Sequence, residues 1–336
     1  MIRRISPPLI RAAAVLSCLA AVILGALPAT AAPGNILNRV KARGVVRCAA
    51  VERPGLAEPS GDGTWHGLEV DVCRAIATAA LGSPDRIAFR AFATMTDAST
   101  VGQGKDDVYF LTGSEISDFG LADRLLPGPT VFFESHAVMV PATAKEQHLD
   151  DLAGQSICFV TGSPVSRSLY DHFASRGSAW RNMPFAEDGE MIDAYNVQRC
   201  HAISYEITTL ATVRWEKGIN NLESRILPEP VTTFPVMAAT STDDGRWAAL
   251  VAWTVHTLVA AERPESRWYP GGAAAMPVQA GRLGLDKTWQ ARVIAAVGSY
   301  ADIFARNLGE RSPLKLSRGQ NAAQADGGLL AGPFVE

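Results

Sequence analysis

Glu206 is the carboxylate whose position in the pattern points most directly to chemistry. It ends a strand-like run, Ala202 to Tyr205, and meets a helical segment, Thr208 to Trp215. The carboxyl end of a strand is where open parallel sheets place their ligands. Two polar loops occupy comparable positions: Thr112-Gly113-Ser114 follows the strand-like Asp107 to Leu111, and Thr161-Gly162-Ser163-Pro164 follows Ser156 to Val160. In the second loop Ser163 suits a helix cap and Pro164 the first helical position. Hydroxyls, backbone amides and one carboxylate suit the capture of a polar molecule. Catalysis would need a positioned acid and base, and only Glu206 is a good candidate for either. The six histidines are scattered, and no Cys-x-x-Cys, Ser-His-Asp or phosphate-loop pattern occurs, so neither a metal nor a cofactor is expected.

The chain has 336 residues, 47% of them apolar, enough for a large core and more than one lobe. Residues 1–32 have the three parts of a secretory signal. Arg3, Arg4 and Arg11 precede the apolar run Ala12 to Leu27, and Ala29-Thr30-Ala31 supplies the small-residue cleavage site. Removing the signal takes three positive charges from a formal charge of -3, leaving -3 - 3 = -6. No basic field for nucleic acid remains. Once Cys18 leaves with the signal, four cysteines are left: Cys48, Cys73, Cys158 and Cys200. An even number in an exported chain suggests two disulfides, and three connectivities are open.

The elements that must position these groups alternate along the chain. An amphipathic lead-in, Ile36 to Arg43, precedes a buried strand, Val45 to Val51, and a Pro54-Gly55 turn. The stretch Gly63 to Ile76 then opens a helix, with Glu69 and Asp71 near its positive end. Further strands are read at Ile87 to Phe92 and Asp107 to Leu111. A second group follows Val138-Met139-Val140-Pro141: a helical turn at Leu149 to Leu152, the strand Ser156 to Val160, the helix Val165 to Ala174 and the units around Glu206. Phe234 to Ala239 reads as a strand returning the chain to the first group. Helices then follow at Gly245 to Ala261 and Lys287 to Leu308, with Gly271 to Ala275 as a loop. The class is α/β, with two lobes, each a mostly parallel sheet flanked by helices, and two crossings between them.

The segments Gly44-Val45-Val46-Arg47-Cys48, Trp65 to Ala75, Ile157-Cys158, Arg199-Cys200-His201-Ala202 and Phe304 to Lys315 carry a resemblance that spans nearly all of the mature chain. They resemble the periplasmic substrate-binding proteins of polar amino-acid ABC importers, most closely the general L-amino-acid-binding subgroup with a type II periplasmic binding fold. The resemblance implies a first lobe at 33–137 and a second at 138–236, with the chain returning to the first over 237–336. It implies disulfides Cys48 to Cys73 and Cys158 to Cys200, and closure on hinges near His136 to Val140 and Phe234 to Ala239. A monomeric, non-enzymatic, periplasmic protein serving an ABC permease is the expected whole.

The implied ligand positions are Leu56, Ser114, Phe119, Gly162, Ser163 and Glu206, and several depart from the family pattern. In a Ser-x-Thr-x-x-Arg run that clamps the ligand's α-carboxylate, Ser114 is kept, Ile116 replaces Thr and Phe119 replaces Arg. Losing that Arg forfeits roughly 1.5–3 kcal/mol of charged hydrogen bonding. Phe119 reads best as a core residue filling the hole. Pro164 removes an amide donor, Leu56 stands where relatives place an aromatic ring, and Asp97-Ala98 replaces an Arg-Phe pair. Glu206 keeps the charge of an Asp that meets the ligand's α-ammonium. With negative groups kept and the positive one lost, a cationic or neutral ligand is favoured over a zwitterionic amino acid. Arg124 reads as a surface residue, Trp65 as packing for the first lobe, and His136 and His201 as core or edge residues. Two other functions fit the same scaffold: a periplasmic dehydratase-like enzyme, and a degenerate sensor or accessory protein without amino-acid binding.

Overall fold

The computed structural model describes residues 35–217, 221–263 and 280–331. The signal-like residues 1–32 and the Gly271 to Ala275 loop lie outside them. In chain order the strands are β1 (Val46–Ala50), β2 (Glu58–Pro59), β3 (Trp65–His66), β4 (Ile87–Ala91), β5 (Val108–Thr112) and β6 (Leu125–Leu126). They continue with β7 (Thr130–Pro141), β8 (Ser156–Val160), β9 (Arg181–Phe185), β10 (Ala202–Glu206), β11 (Ser224–Ile226) and β12 (Thr232–Ser241). The main sheet runs β4-β1-β5-β12-β7-β10-β8-β9, with β6 beside β12 and β11 beside β7.

Two parallel trios, β4-β1-β5 and β10-β8-β9, are joined by the antiparallel pair β12/β7. The hinge stretches that the resemblance implies both lie on this pair. Each trio is covered on both faces, as buried parallel strands require. One face of the first trio packs under the helices Leu68–Leu81, Gly245–Ala260, Trp289–Val297 and Tyr300–Asn307, with Trp247 and Trp289 fully buried. Its other face holds Phe92, Tyr109, Leu111 and Ile116. The second trio buries Phe159, Leu169 and Phe173 on one side and Met191, Tyr195 and Leu210 on the other. Disulfides Cys48–Cys73 and Cys158–Cys200 are both formed, one in each half.

Two of the segments that carry the family resemblance meet in space. The Asp71 carboxylate accepts from Arg306 Nε at 2.7 Å and Asn307 Nδ2 at 2.8 Å, and also pairs with Arg74. The helix at Leu68–Leu81 begins on Gly67, which has φ 125° and no side-chain cap, so Glu69 and Asp71 lie in its first turn without capping it. A Cβ on Gly67 would lie 2.1 Å from the Leu56 carbonyl oxygen. Gly67→Ala is therefore expected to lower stability by about 2 kcal/mol or more, read as a drop in the urea midpoint with an unchanged slope.

The long helix expected over Lys287 to Leu308 is two helices, Trp289–Val297 and Tyr300–Asn307. Gly298 adopts φ 81° and Ser299 with Asp302 forms a capping box that starts the second helix. The expected helical turn at Leu149–Leu152 is 3-10. Ser163 occupies the helix N-cap as expected, but its Oγ donates to the Val160 carbonyl at 2.6 Å and makes no cap bond.

Candidate functional site

The carboxyl ends of β1, β5 and β10 converge on the middle of β7. Residue Cys48 pairs with Val108, a register that sets Arg53 just beyond the end of β5. Glu206 pairs with His136 across β10/β7, and Glu134 lies two residues further along β7. A tight turn, with Leu56 N donating to the Arg53 carbonyl at 3.1 Å, holds Arg53 in the first half. Its side chain is only 4% exposed.

Carboxylates from four elements surround that guanidinium. Glu115, in the first turn of the helix Gly113–Asp118, accepts from Arg53 Nη2 and, through its other oxygen, from Thr112 N at 2.7 Å. Glu69, on Leu68–Leu81, places Oε1 4.0 Å from Arg53 Nη1. Glu206 and Glu134 act on the same guanidinium electrostatically. Glu134 accepts from Thr208 Oγ1 at 2.8 Å and from Ser135 N at 3.0 Å. Neither oxygen of Glu69 has a hydrogen-bond partner, and neither has Arg53 Nη1.

Crowding carboxylates away from water favours their protonated forms. Burial, reinforced by Glu115 and Glu134 and opposed by Arg53, pushes Glu69 up to about 8. Burial and then Glu206 push Glu134 up to about 7. Glu206 is raised by burial, Glu115 and Asp188 against the pull of Arg53. His136 is driven the other way, to about 4, by burial, so it stays neutral; its ring meets Phe234 at 5.0 Å.

The residues expected from the sequence divide sharply. Glu206 belongs to the cluster, and Ser114 adjoins it through Glu115, exposed, with Oγ 3.2 Å from Thr112 Oγ1. Gly162 and Ser163 lie past the end of β8, which neighbours β10. Leu56 is fully buried in the large core of the first half. Phe119 is half-buried and packs edge-on against Phe92 at 5.1 Å. Arg124 donates to the carbonyls of Ala98 and Gly120 and does not enter the cluster. Trp65 packs on Phe89 at 5.2 Å, and His201 Nε2 lies 3.0 Å from a Glu146 carboxylate oxygen. Sequence reasoning missed Arg53, Glu69, Glu115 and Glu134 as a group. The signal available was Arg53 itself, a cation directly after a buried strand and before Pro54-Gly55. Among the described residues no three His, Cys, Asp or Glu side chains are grouped to hold a metal ion, and no helix is long and apolar enough to cross a membrane.

No family model matches the chain. It is 28% identical over 327 residues to the general L-amino acid-binding periplasmic protein AapJ of Rhizobium johnstonii, covering 92% of this chain and 95% of the relative. It is also 28% identical over 340 residues to the glutamate/glutamine/aspartate/asparagine-binding protein BztA of Rhodobacter capsulatus, covering 93% and 96%. A solved periplasmic binding protein of an ABC transporter from Brucella ovis, with glutathione bound, superimposes with a TM-score of 0.70 at 29% identity, covering 89% of this chain and 99% of that one. The fold is that of the type II periplasmic binding proteins.

Proposed function

We propose that this chain, a homologue of amino-acid-binding periplasmic proteins of ABC importers, is itself a solute-binding protein that captures a small polar ligand between its two halves. The observation that carries the reading is the cluster around Arg53. It draws Arg53, Glu69 and Glu115 from the first half, Glu206 from the second and Glu134 from the strand pair between them. A ligand that bridges these groups favours the closed arrangement over the open one by its differential affinity. The lobes are those at 33–137 and 138–236, with the return over 237–336, and β7 and β12 carry the hinge. The protein is exported through its N-terminal signal, is not an enzyme and works as a monomer that delivers its cargo to an inner-membrane permease.

The test is a calorimetric and thermal-shift screen of the mature chain against amino acids, amines and small organic cations. A ligand present at a hundred times its Kd is expected to stabilise by about 2.7 kcal/mol. If no compound of any of these classes moves the melting temperature, the transport reading fails.

A further inference from the structure

We infer, building on the solute-capture reading above, that the ligand is a small linear amine with a cationic group at each end and no carboxylate. One end meets Glu206 and the other the Glu69 and Glu115 side of the cluster. Four carboxylates against one guanidinium amount to -4 + 1 = -3 when all are ionised. A single positive charge leaves most of that unbalanced, whereas two, one from each end of a chain, meet a carboxylate on each half.

Two observations beyond the acidic cluster itself bear on the occupant. Arg53, nine-tenths buried or more, still has an Nη1 without a hydrogen-bond acceptor, and fully buried Glu69 has two oxygens without a donor. Glu69 therefore offers acceptors to an ammonium group. Glu115 engages only Arg53 Nη2, and Glu69 Oε1 stands 4.0 Å from Nη1, so the protein's own carboxylates flank both ends of the fork. The other basic side chains near this end of the first half are committed elsewhere. Arg90 holds Asp97 and Asp106, and Arg124 holds backbone carbonyls. Phe119 is turned to Phe92 and brings no charge to the cluster. A ligand with two carboxylates and one ammonium, such as glutathione, meets this arrangement with the wrong sign.

Binding should be linked to protons. The groups facing Glu69 are Arg53, Glu115 and Glu134; those facing Glu206 are Arg53, Glu115, Asp188 and Glu134; His136 opposite Glu206 is neutral. With carboxyls that titrate near 7 and 8 in the free protein, an incoming dication expels protons, so affinity rises with pH until these groups are already ionised.

The experiment is isothermal titration of the mature protein with 1,4-diaminobutane and 1,5-diaminopentane at pH 6, 7 and 8, in two buffers of different ionisation enthalpy. n-Butylamine, glutamine, glutamate and glutathione serve as comparisons. A diamine should bind at least tenfold more tightly than butylamine and than any of the carboxylate compounds. Its affinity should rise about tenfold from pH 6 to pH 8, with proton release seen as a buffer-dependent heat. Glu206→Gln should cost about tenfold in diamine affinity with the circular dichroism unchanged. The wild-type comparisons alone decide the matter if that variant does not fold. Tighter binding of glutamine, glutamate or glutathione than of either diamine, or a diamine affinity flat from pH 6 to 8, overturns the inference and leaves the solute-capture reading standing. Failure of every compound here and in the wider screen overturns both.

Discussion

Replacing Arg53 by Met is expected to cost about 1 kcal/mol at pH 5 and roughly 3–5 kcal/mol at pH 8, because removing one partner of a buried ionic group leaves the others uncompensated. Arg53 is the cation that draws on Glu69, Glu115, Glu134 and Glu206 together. At pH 5 the raised carboxyls hold their protons and need little compensation. The direction follows from linkage. Glu69 and Glu134 titrate near 8 and 7 in the folded chain, above the ordinary carboxylate value of 4.5, so the folded state binds more protons than the unfolded one in between. Their contribution is fully present below the unfolded value and is lost as pH rises toward 8. His136 has the opposite slope: lowered to about 4, it withdraws stability as pH falls below its ordinary 6.5. Wild-type stability should therefore fall from about pH 5 to pH 8, most clearly above 6.5 where the opposing slope of His136 fades, by at most about 1.4 kcal/mol per pH unit for each carboxyl still protonated in the folded chain. Arg53→Met raises the carboxyls further and steepens that fall. Urea denaturation of both proteins at pH 5, 6.5 and 8 measures it. A penalty that does not change with pH would mean that Arg53 acts through packing and not through charge.

How far the sequence could disclose this arrangement depends on the range over which each feature is determined. The strands Ser156–Val160 and Ala202–Glu206 are short apolar runs bounded by turns, a local pattern that periodicity catches. The same criterion reads β7 only from Val138 onward, because Glu134-Ser135-His136 interrupts its apolar run. The strand continues because those polar groups lie on a paired ladder and find partners there, Ser135 Oγ lying 3.2 Å from Thr233 Oγ1. Edge strand β9 was missed because Arg181, Asn182 and Pro184 read as loop, and an edge tolerates proline. The split at Gly298 was legible in principle, since Ser299-x-x-Asp302 before Ile303-Phe304 is a capping signature. The cluster was not. Arg53 reads locally as a turn residue, and its meaning depends on Glu115, 62 residues away, and on Glu206 across the sheet. Glu206 was found because its own strand end marks it. The group it belongs to is a property of the tertiary fold.

Removing either disulfide is expected to destabilise the chain by several kcal/mol, and removing both should have additive effects. Cys48–Cys73 closes a separation of 25 residues and Cys158–Cys200 one of 42. Loop-closure entropy assigns about 3.5 kcal/mol to the first and about 4 kcal/mol to the second, largely by restricting the unfolded chain. All four cysteines are buried, so Cys→Ala pairs also leave small cavities that add to the cost. The two bridges staple different halves: one ties β1 to the helix Leu68–Leu81, the other ties β8 to the segment entering β10. They share no partner, which is the condition for additivity within about 0.5 kcal/mol. The quadruple variant should thus lose about 7–8 kcal/mol, a large part of the roughly 5–15 kcal/mol that holds a domain folded. Its melting temperature should fall far more than that of either pair. Denaturant titrations of the wild type, the two Cys→Ala pairs and the quadruple variant measure this. A loss under 1 kcal/mol for one pair would mean that its half retains enough structure when unfolded for the staple to restrict little, and a strongly non-additive quadruple variant would show that the two staples are energetically coupled, in the folded sheet or in the unfolded chain.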